Sequence, residues 1–338
     1  MNSKMKAAQI SKPGGDWALI ERDIPDPGAG QVRVKVEACG ICHSDALVKE
    51  GLWPGLQYPR VPGHEIAGRI DALGDNVTAW TIGQRVGVGW HGGQDGTCPA
   101  CRRGDFINCA NAQVSGVSYD GGYQEFMVAP IQALARVPES FDAAEAAPLL
   151  CAGITTFNAL RHSGALPSDL VAIQGIGGLG HLGIQFAQKF GYRVAAIGRG
   201  PGNATLAKKL GADLYIDAAA TDGAAELQKL GGARVILATA PSGKSMSALV
   251  GGLGANGTLL LVGVPMDPIE VSASQLIFGT RRIQGWLAGI PTDSEDTLRF
   301  AEMTGVRPMI EKYPLANAAE GYARMMSGKA EFRVVLTM

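Results

Sequence analysis

The sequence predicts an α/β protein in two parts, an irregular β-rich part and a doubly wound parallel sheet covered by helices on both faces. Three observations lead there. Up to about residue 150, short alternating runs are separated by clusters such as Pro25-Asp26-Pro27-Gly28 and Tyr58-Pro59-Arg60-Val61-Pro62-Gly63, which mark loops. From about Leu170, short and wholly apolar runs alternate with helical stretches, the pattern of a parallel sheet buried on both faces. A chain of 338 residues also exceeds one ordinary core, so two domains are expected.

In the first part, residues 32–37, 66–73, 85–89 and 124–129 alternate as half-buried strands. In the second, strands are expected at 171–174, 193–197, 214–216, 235–238 and 258–262. Helices are expected between them at 178–190, 204–210, 224–230 and 245–251. The tail from about Pro291 holds helices at 293–303 and 316–327 and a final strand, 332–336, placed to return to the first sheet.

Composition narrows the function classes. Hydrophobic content of 46%, 18% charged residues and a net charge of -1 describe a globular chain with no electrostatic case for nucleic acid or an anionic membrane. The most apolar window, 170–187, carries Gln174, His181 and Gln185 and is a poor bilayer span. Met1-Asn2-Ser3-Lys4-Met5-Lys6 shows no apolar leader. Six cysteines without one argue for a reducing, cytoplasmic setting and for metal ligation over disulfides.

Two clusters suit metal. Cys42-His43-Ser44-Asp45 follows the first alternating run, Gly63-His64-Glu65 comes 22 residues after Cys42, and Cys151 stands alone in an apolar stretch. Two thiolates (Cys42, Cys151) and one imidazole (His64) form a three-ligand zinc centre with a position open, the arrangement for catalysis. Asp95, Cys98, Cys101 and Cys109 form a second set; filled, it would be a closed four-ligand structural zinc site in a loop with few apolar residues of its own, and partial occupancy or an empty site stays open. Its carboxylate is a harder and weaker zinc ligand than a thiolate.

Gly175-Ile176-Gly177-Gly178-Leu179-Gly180 follows an expected strand and opens an expected helix, the context in which G-x-G-x-x-G binds a dinucleotide. Gly175 allows the turn, Gly177 the approach of a pyrophosphate, and Gly180 close packing of helix on strand. NAD binders carry Asp or Glu about 20 residues on. Here the next strand ends Ile197-Gly198-Arg199-Gly200, a small residue and a guanidinium, which favours NADP(H) and leaves NAD(H) open.

Together these motifs resemble the zinc-dependent medium-chain alcohol dehydrogenases, and the chain is similar to bacterial members like cinnamyl alcohol dehydrogenase over essentially its whole length. The resemblance implies a GroES-like catalytic domain from residues 1–151 and 291–338, with a Rossmann coenzyme domain, 152–290, between them. It implies Cys42, His64 and Cys151 as catalytic zinc ligands, and Glu65 as a carboxylate able to approach the metal. Asp45 orients His64, and Ser44 bonds the reacting oxygen. His43, Thr155, Val262 and Arg333 join Gly175, Gly177, Gly178, Leu179, Gly180, Gly198 and Arg199 around the coenzyme. Trp53, Trp90, Tyr119 and Trp286 are expected near the substrate. Leu47 stands where some relatives carry a proton-relaying histidine, and Asp95 where most have cysteine. The implied activity is hydride transfer between a primary, aromatic or medium-chain alcohol or aldehyde and NAD(P), in a homodimer or homotetramer. The alternatives are a zinc-free quinone or enone reductase, which has no use for the Cys42/His64/Cys151 set, and a non-catalytic NADPH-binding protein.

Overall fold

A computed structural model describes residues 4–338; Met1 to Ser3, part of the stretch read for a leader, lie outside the described residues. The chain divides into two compact units. One is formed by the chain up to Cys151 with Gly289–Met338, the other by Ala152–Ala288.

The first unit is built on a seven-stranded sheet. Its strand order is Ile310–Pro314, Arg333–Thr337, Gln31–Ile41, Ile66–Leu73, Arg85–Val88 and Leu134–Arg136, with Phe126–Pro130 also pairing Gln31–Ile41. Gln31–Ile41 organises this sheet. Val32, Val34 and Val36 point into the core and alternate with more exposed residues, so the register is set by burial of one face. Antiparallel pairing places Ile41 opposite Val334 on one side and Cys39 opposite Ile66 on the other. The final strand therefore does return to the first sheet.

The second unit is a Rossmann-type sheet of six parallel strands in the order Leu214–Asp217, Arg193–Gly198, Leu170–Gln174, Ala233–Ala238, Leu253–Leu261 and Arg282–Gly285. Its central strands carry apolar runs because helices cover both faces: Val171, Ala172, Ile173, Val235, Ile236 and Leu237 are all fully buried.

Sequence patterning leaves several strands unmarked: besides the short His91–Gly93, Gln113–Val114 and Leu134–Arg136, four longer ones escape it. Lys4–Ile10 and Trp17–Asp23 pair with each other as a two-stranded sheet outside the main one, and Lys4–Ile10 touches the rest through isolated bridges at Ala7–Gln124 and Ile10–Arg60. Arg282–Gly285 and Ile310–Pro314 lie at sheet edges and expose much of their length, so they need no apolar run. The helix expected from Gly178 starts at Gly180, because Gly175 takes a left-handed φ of 89° and the residues after it complete a turn. The window 170–187 is a strand, a turn and most of a helix, Gly180–Lys189, so it cannot span a bilayer.

Glu311 holds the returning strand in place. Its oxygens accept from Arg324 Nε at 2.8 Å and Nη2 at 2.9 Å, and from the Glu331 amide at 2.8 Å, two residues before Arg333. Arg324 first, then that amide, hold the Glu311 carboxyl below the usual carboxylate range against a small burial penalty. A lowered folded pKa contributes stability above the unfolded value and loses it as pH falls through the folded one. Glu311→Gln should therefore cost about 0.5–1 kcal/mol near neutral pH, since the pair is partly exposed. The gap to wild type in urea unfolding should close as pH drops below about 4. A gap that stays constant over that range would show that the charge contributes nothing.

Candidate functional site

At one end of the first unit's sheet, the register described above gathers side chains from distant parts of the chain. Cys42 follows Ile41, His64 and Glu65 precede Ile66, and Arg333 precedes Val334. The Gly40 amide donates to Glu65 O at 2.9 Å, locking the two strands at this end. A Cβ on Gly40 would lie 1.9 Å from Glu65 Oε2, so only glycine lets that carboxylate fold over the strand.

Cys151 arrives differently. It sits in a widened π-helical turn, Leu149–Gly153, between the α-helical Ala143–Pro148 and Ile154–Arg161. Pro148 has no N–H to bond the preceding turn, which loosens the helix at this point. Thr156 Oγ1 then donates to Ala152 O at 2.8 Å and Gly153 O at 3.1 Å, satisfying carbonyls the wide turn leaves.

Ligand atoms of Cys42, His64, Glu65 and Cys151 all lie within 4.8 Å of one another. Cys42 Sγ to Cys151 Sγ is 3.8 Å, and Cys151 Sγ to His64 Nε2 is 3.5 Å. Around an ion bonded at about 2.3 Å to sulfur and about 2.0 Å to nitrogen, tetrahedral ligands sit about 3.8 Å apart (S to S) and about 3.5 Å apart (S to N). The set fits zinc. Glu65 Oε2 is buried without a hydrogen-bond partner, as an oxygen facing a cation would be.

Second contacts fix these ligands. His64 Nδ1 meets Asp45 Oδ1 at 3.2 Å, leaving Nε2 toward the sulfurs. Asp45 Oδ2 accepts from the Cys42 amide at 2.8 Å and from Tyr123 Oη at 2.8 Å. Arg333 donates to Glu65 Oε1 and to Ile41 O, so its guanidinium is buried against the sheet end. The Cys151 contact lowers the Cys42 thiol, against burial and helped by His64 and Arg333, while that contact and burial raise Cys151. Burial works against a charged His64, but Asp45 and Cys42 outweigh it and raise its pKa. Burial pushes Glu65 up to about 7, with Arg333 opposing.

Around this centre His43 is exposed and Ser44 half-buried, in a short turn after Cys42. Trp90 stands edge-on to the His64 ring at 5.0 Å and packs against Trp53 at 5.9 Å. With Leu56, Val48, Val114 and Val117 they make a small apolar cluster. Tyr119 instead donates to Gly92 O at 2.9 Å, and Trp286, in the second unit, stacks on His162.

Asp95, Cys98, Cys101 and Cys109 also bring their ligand atoms within 4.8 Å. Amides of Asp95 and Asn111 point at Cys109 Sγ (3.4 Å each), and that of Cys101 at Cys98 Sγ (3.5 Å), as donors to thiolates do. This set fits a metal too, though Asp95 has other duties. Its Oδ1 accepts from the Cys98 and Thr97 amides at 2.9 and 2.7 Å, and Oδ2 from Asn111 Nδ2 at 2.7 Å. Those donors hold its carboxyl well below the usual range.

In the second unit, Gly175 turns the chain out of Leu170–Gln174 with Gly180 packed so close that its Cβ would lie 1.7 Å from Gly175 O. Gly177 has nothing within 4 Å of its Cβ position, leaving its backbone open to a ligand. This turn lies where the strand order reverses, the place ligands occupy in such sheets. Gly198 ends the neighbouring strand with Arg199 exposed beside it. Thr155 is buried in the helix Ile154–Arg161, and Val262 follows Leu253–Leu261. Tyr123 and Asn111 were not singled out by the sequence. Nothing near them in sequence marks them, apart from the pair Gly121-Gly122 that lets the Tyr123 backbone pass close to Cys39 and Gly63.

Residues 28–139 match the family described as alcohol dehydrogenase GroES-like domain, and residues 178–303 that described as zinc-binding dehydrogenase. The chain is 46% identical to alcohol dehydrogenase patD of Penicillium expansum over 336 residues, covering 99% of this chain and 98% of that protein. Among solved structures it is similar to a cinnamyl alcohol dehydrogenase from Sorghum bicolor, with 29% identity, a TM-score of 0.90, and 99% and 98% of the two chains covered. It is also similar to CAD from Helicobacter pylori complexed with NADP(H), with 27% identity, a TM-score of 0.85, and 100% and 99% covered.

The geometry predicts how strongly each contact supports the ligands. Asp45→Asn should weaken metal affinity by about 10–100-fold, the usual effect of losing such a carboxylate. Tyr123→Phe, which removes one of three bonds to Asp45, should weaken it by about 5-fold. Competition with a chromophoric chelator measures both, and equal affinity in all three proteins would show that Asp45 does not orient His64.

Proposed function

The chain belongs to the zinc-dependent medium-chain alcohol dehydrogenases, and on that premise we propose that Cys42, His64 and Cys151 hold its catalytic zinc with Glu65 in reserve. The protein is an NAD(P)-dependent alcohol dehydrogenase acting on a small-molecule alcohol or aldehyde. The observation that carries the site assignment is the pair of separations, 3.8 and 3.5 Å, between two sulfurs and a ring nitrogen. A zinc-free enone reductase has no reason to keep that geometry.

Zinc there supplies Lewis-acid polarisation of the substrate oxygen, and nicotinamide supplies the hydride chemistry. The chain's residues do the rest. His64 is kept with Nε2 toward the sulfurs by Asp45, and Ser44 Oγ accepts the alcohol proton as its own passes to solvent, Leu47 having no group to relay it. His43, exposed, is assigned to the coenzyme pyrophosphate. Arg333 acts there mainly through its charge, since Glu65 and Ile41 O engage its guanidinium. Thr155 and Val262 are assigned to the nicotinamide side, and the Gly175–Gly180 turn to the diphosphate. On this reading residues 1–151 and 291–338 form the catalytic domain and 152–290 the coenzyme domain.

Finer points follow from particular features. The Trp53–Trp90 cluster beside His64 favours an aromatic or medium-chain primary alcohol. Gly198 and Arg199 favour NADP(H), with which the similar Helicobacter pylori structure is complexed. Asp95, Cys98, Cys101 and Cys109 take a second, structural zinc. All six cysteines are free, in keeping with a cytoplasmic location. A homo-oligomer is favoured by the unpaired outer edge of Arg282–Gly285 and the exposed apolar side chains Ile277, Phe278 and Leu287 near it in sequence.

Cys42→Ala should abolish alcohol-dependent reduction of NADP while leaving NADPH binding intact, because the glycine turn belongs to the other unit. Turnover surviving in a zinc-stripped preparation of that variant would reject the scheme. Metal analysis should give two zinc ions per chain, one leaving first under a chelator. Asp95→Cys should slow that early loss by about 10-fold or more, as thiolate replaces a harder ligand already engaged by three N–H donors. Unchanged release would place the labile ion elsewhere.

A further inference from the structure

The loop that ends the second strand of the coenzyme unit is held by a side chain with no role assigned so far. A Cβ on Gly198 would lie 2.8 Å from Tyr215 Oη, 3.0 Å from Tyr215 Cε2 and 3.3 Å from Ile176 Cδ1. Tyr215 comes from the adjacent parallel strand, Leu214–Asp217, where it pairs with Ala196. Its hydroxyl donates to Gly200 O at 2.6 Å. From the same strand, Asp217 Oδ1 accepts from the Gly200 amide at 2.8 Å and the Ala219 amide at 2.9 Å. Both backbone polar groups of Gly200 are thus gripped by one neighbouring strand, and the Asp217 carboxylate is turned into the loop by two donors. Arg199, exposed, makes no ion pair among the described residues.

A phenol ring has only two side-chain torsions, and this one is anchored at its far end. It can make room over Gly198 only by shifting that anchored end, which stretches or breaks the bond to Gly200. A side chain at 198 and Tyr215 in its present position therefore exclude each other. In NAD binders the acid that accepts the ribose 2′-OH stands at the end of this strand. Gly198 alone leaves that position empty; Tyr215 keeps it closed.

We infer that Tyr215 is a specificity-determining positioning residue: by covering Gly198 and pinning Gly200, it excludes the acidic side chain that would select NAD(H) and holds the loop that presents Arg199. Cofactor choice then belongs to the pair 198/215 and not to position 198 alone. The inference rests on the NADP(H) reading above, but its core claim, mutual exclusion, is separable from it.

The test is a double-mutant cycle on the zinc-loaded enzyme, reading dissociation constants of NADPH and NADH by nucleotide fluorescence, with a thermal midpoint for each variant. Gly198→Asp alone should weaken NADPH at least about tenfold and gain no NADH affinity, because the new carboxylate must first displace Tyr215. Adding Tyr215→Ala should raise NADH affinity about tenfold over the single variant, leaving NADPH weak. Tyr215→Phe, which lacks only the anchor, should weaken NADPH about 5-fold in an otherwise normal protein. Should Tyr215→Ala not fold, the cycle is completed with Tyr215→Phe, which frees the ring to swing. Additive effects, with Gly198→Asp alone binding NADH as tightly as the double variant, overturn the inference. A wild type that prefers NADH overturns the NADP(H) reading instead, and the coupling between 198 and 215 still decides the rest.

Discussion

Cys42, His64, Glu65 and Arg333 lie at the ends of three strands and meet because those strands share one register. Ile41 stands opposite Val334, Cys39 opposite Ile66, and the Gly40 amide is bonded to Glu65 O. A slip of one residue would send every side chain of a strand to the opposite face. The buried alternation of Val32, Val34 and Val36 forbids that slip, so packing far from the centre decides where its ligands stand. Gly40 completes the arrangement: with no side chain of its own, it gives the Glu65 carboxylate a place to lie.

That place is expensive in electrostatic terms. Buried ions are stable only when paired and hydrogen-bonded, and here each is. Arg333 meets Glu65, His64 meets Asp45, and Asp45 takes an amide and a phenol besides. What remains is the Cys42 thiol, whose pKa the Cys151 contact lowers, and one Glu65 oxygen with no donor. Two sulfurs, a ring nitrogen and an open carboxylate oxygen are thus left facing one small volume, which is what a divalent cation binds.

Much of this was legible in the chain. Apolar strands between helices announce a parallel sheet wherever they occur, and glycines spaced G-x-G-x-x-G after such a strand carry their own structural reason. Cysteines and histidines declare themselves by chemistry, whatever their spacing. Edge strands such as Ile310–Pro314 did not show, because they bury too little to leave a pattern. Tyr123 did not show either: 78 positions separate it from Asp45, and a phenol is an ordinary core residue until its hydroxyl finds a carboxylate. Tyr215 was hidden for the same reason, its importance arising only from the neighbouring strand's missing Cβ. Sequence displays groups that do chemistry and says little about those that aim them.

The widened turn at Leu149–Gly153 has a consequence for how this segment can change. Each residue added to or removed from a helix rotates everything beyond it by about 100°. Pro148 and the wide turn set the angle at which Cys151 leaves the helix axis, so regularising residues 143–161 by a single deletion would swing its sulfur out of reach of Cys42. Substitutions along the helix, whose side chains are mostly buried, leave that angle unchanged. Its length is therefore the more tightly restrained property, and a tidier helix here would be a broken enzyme.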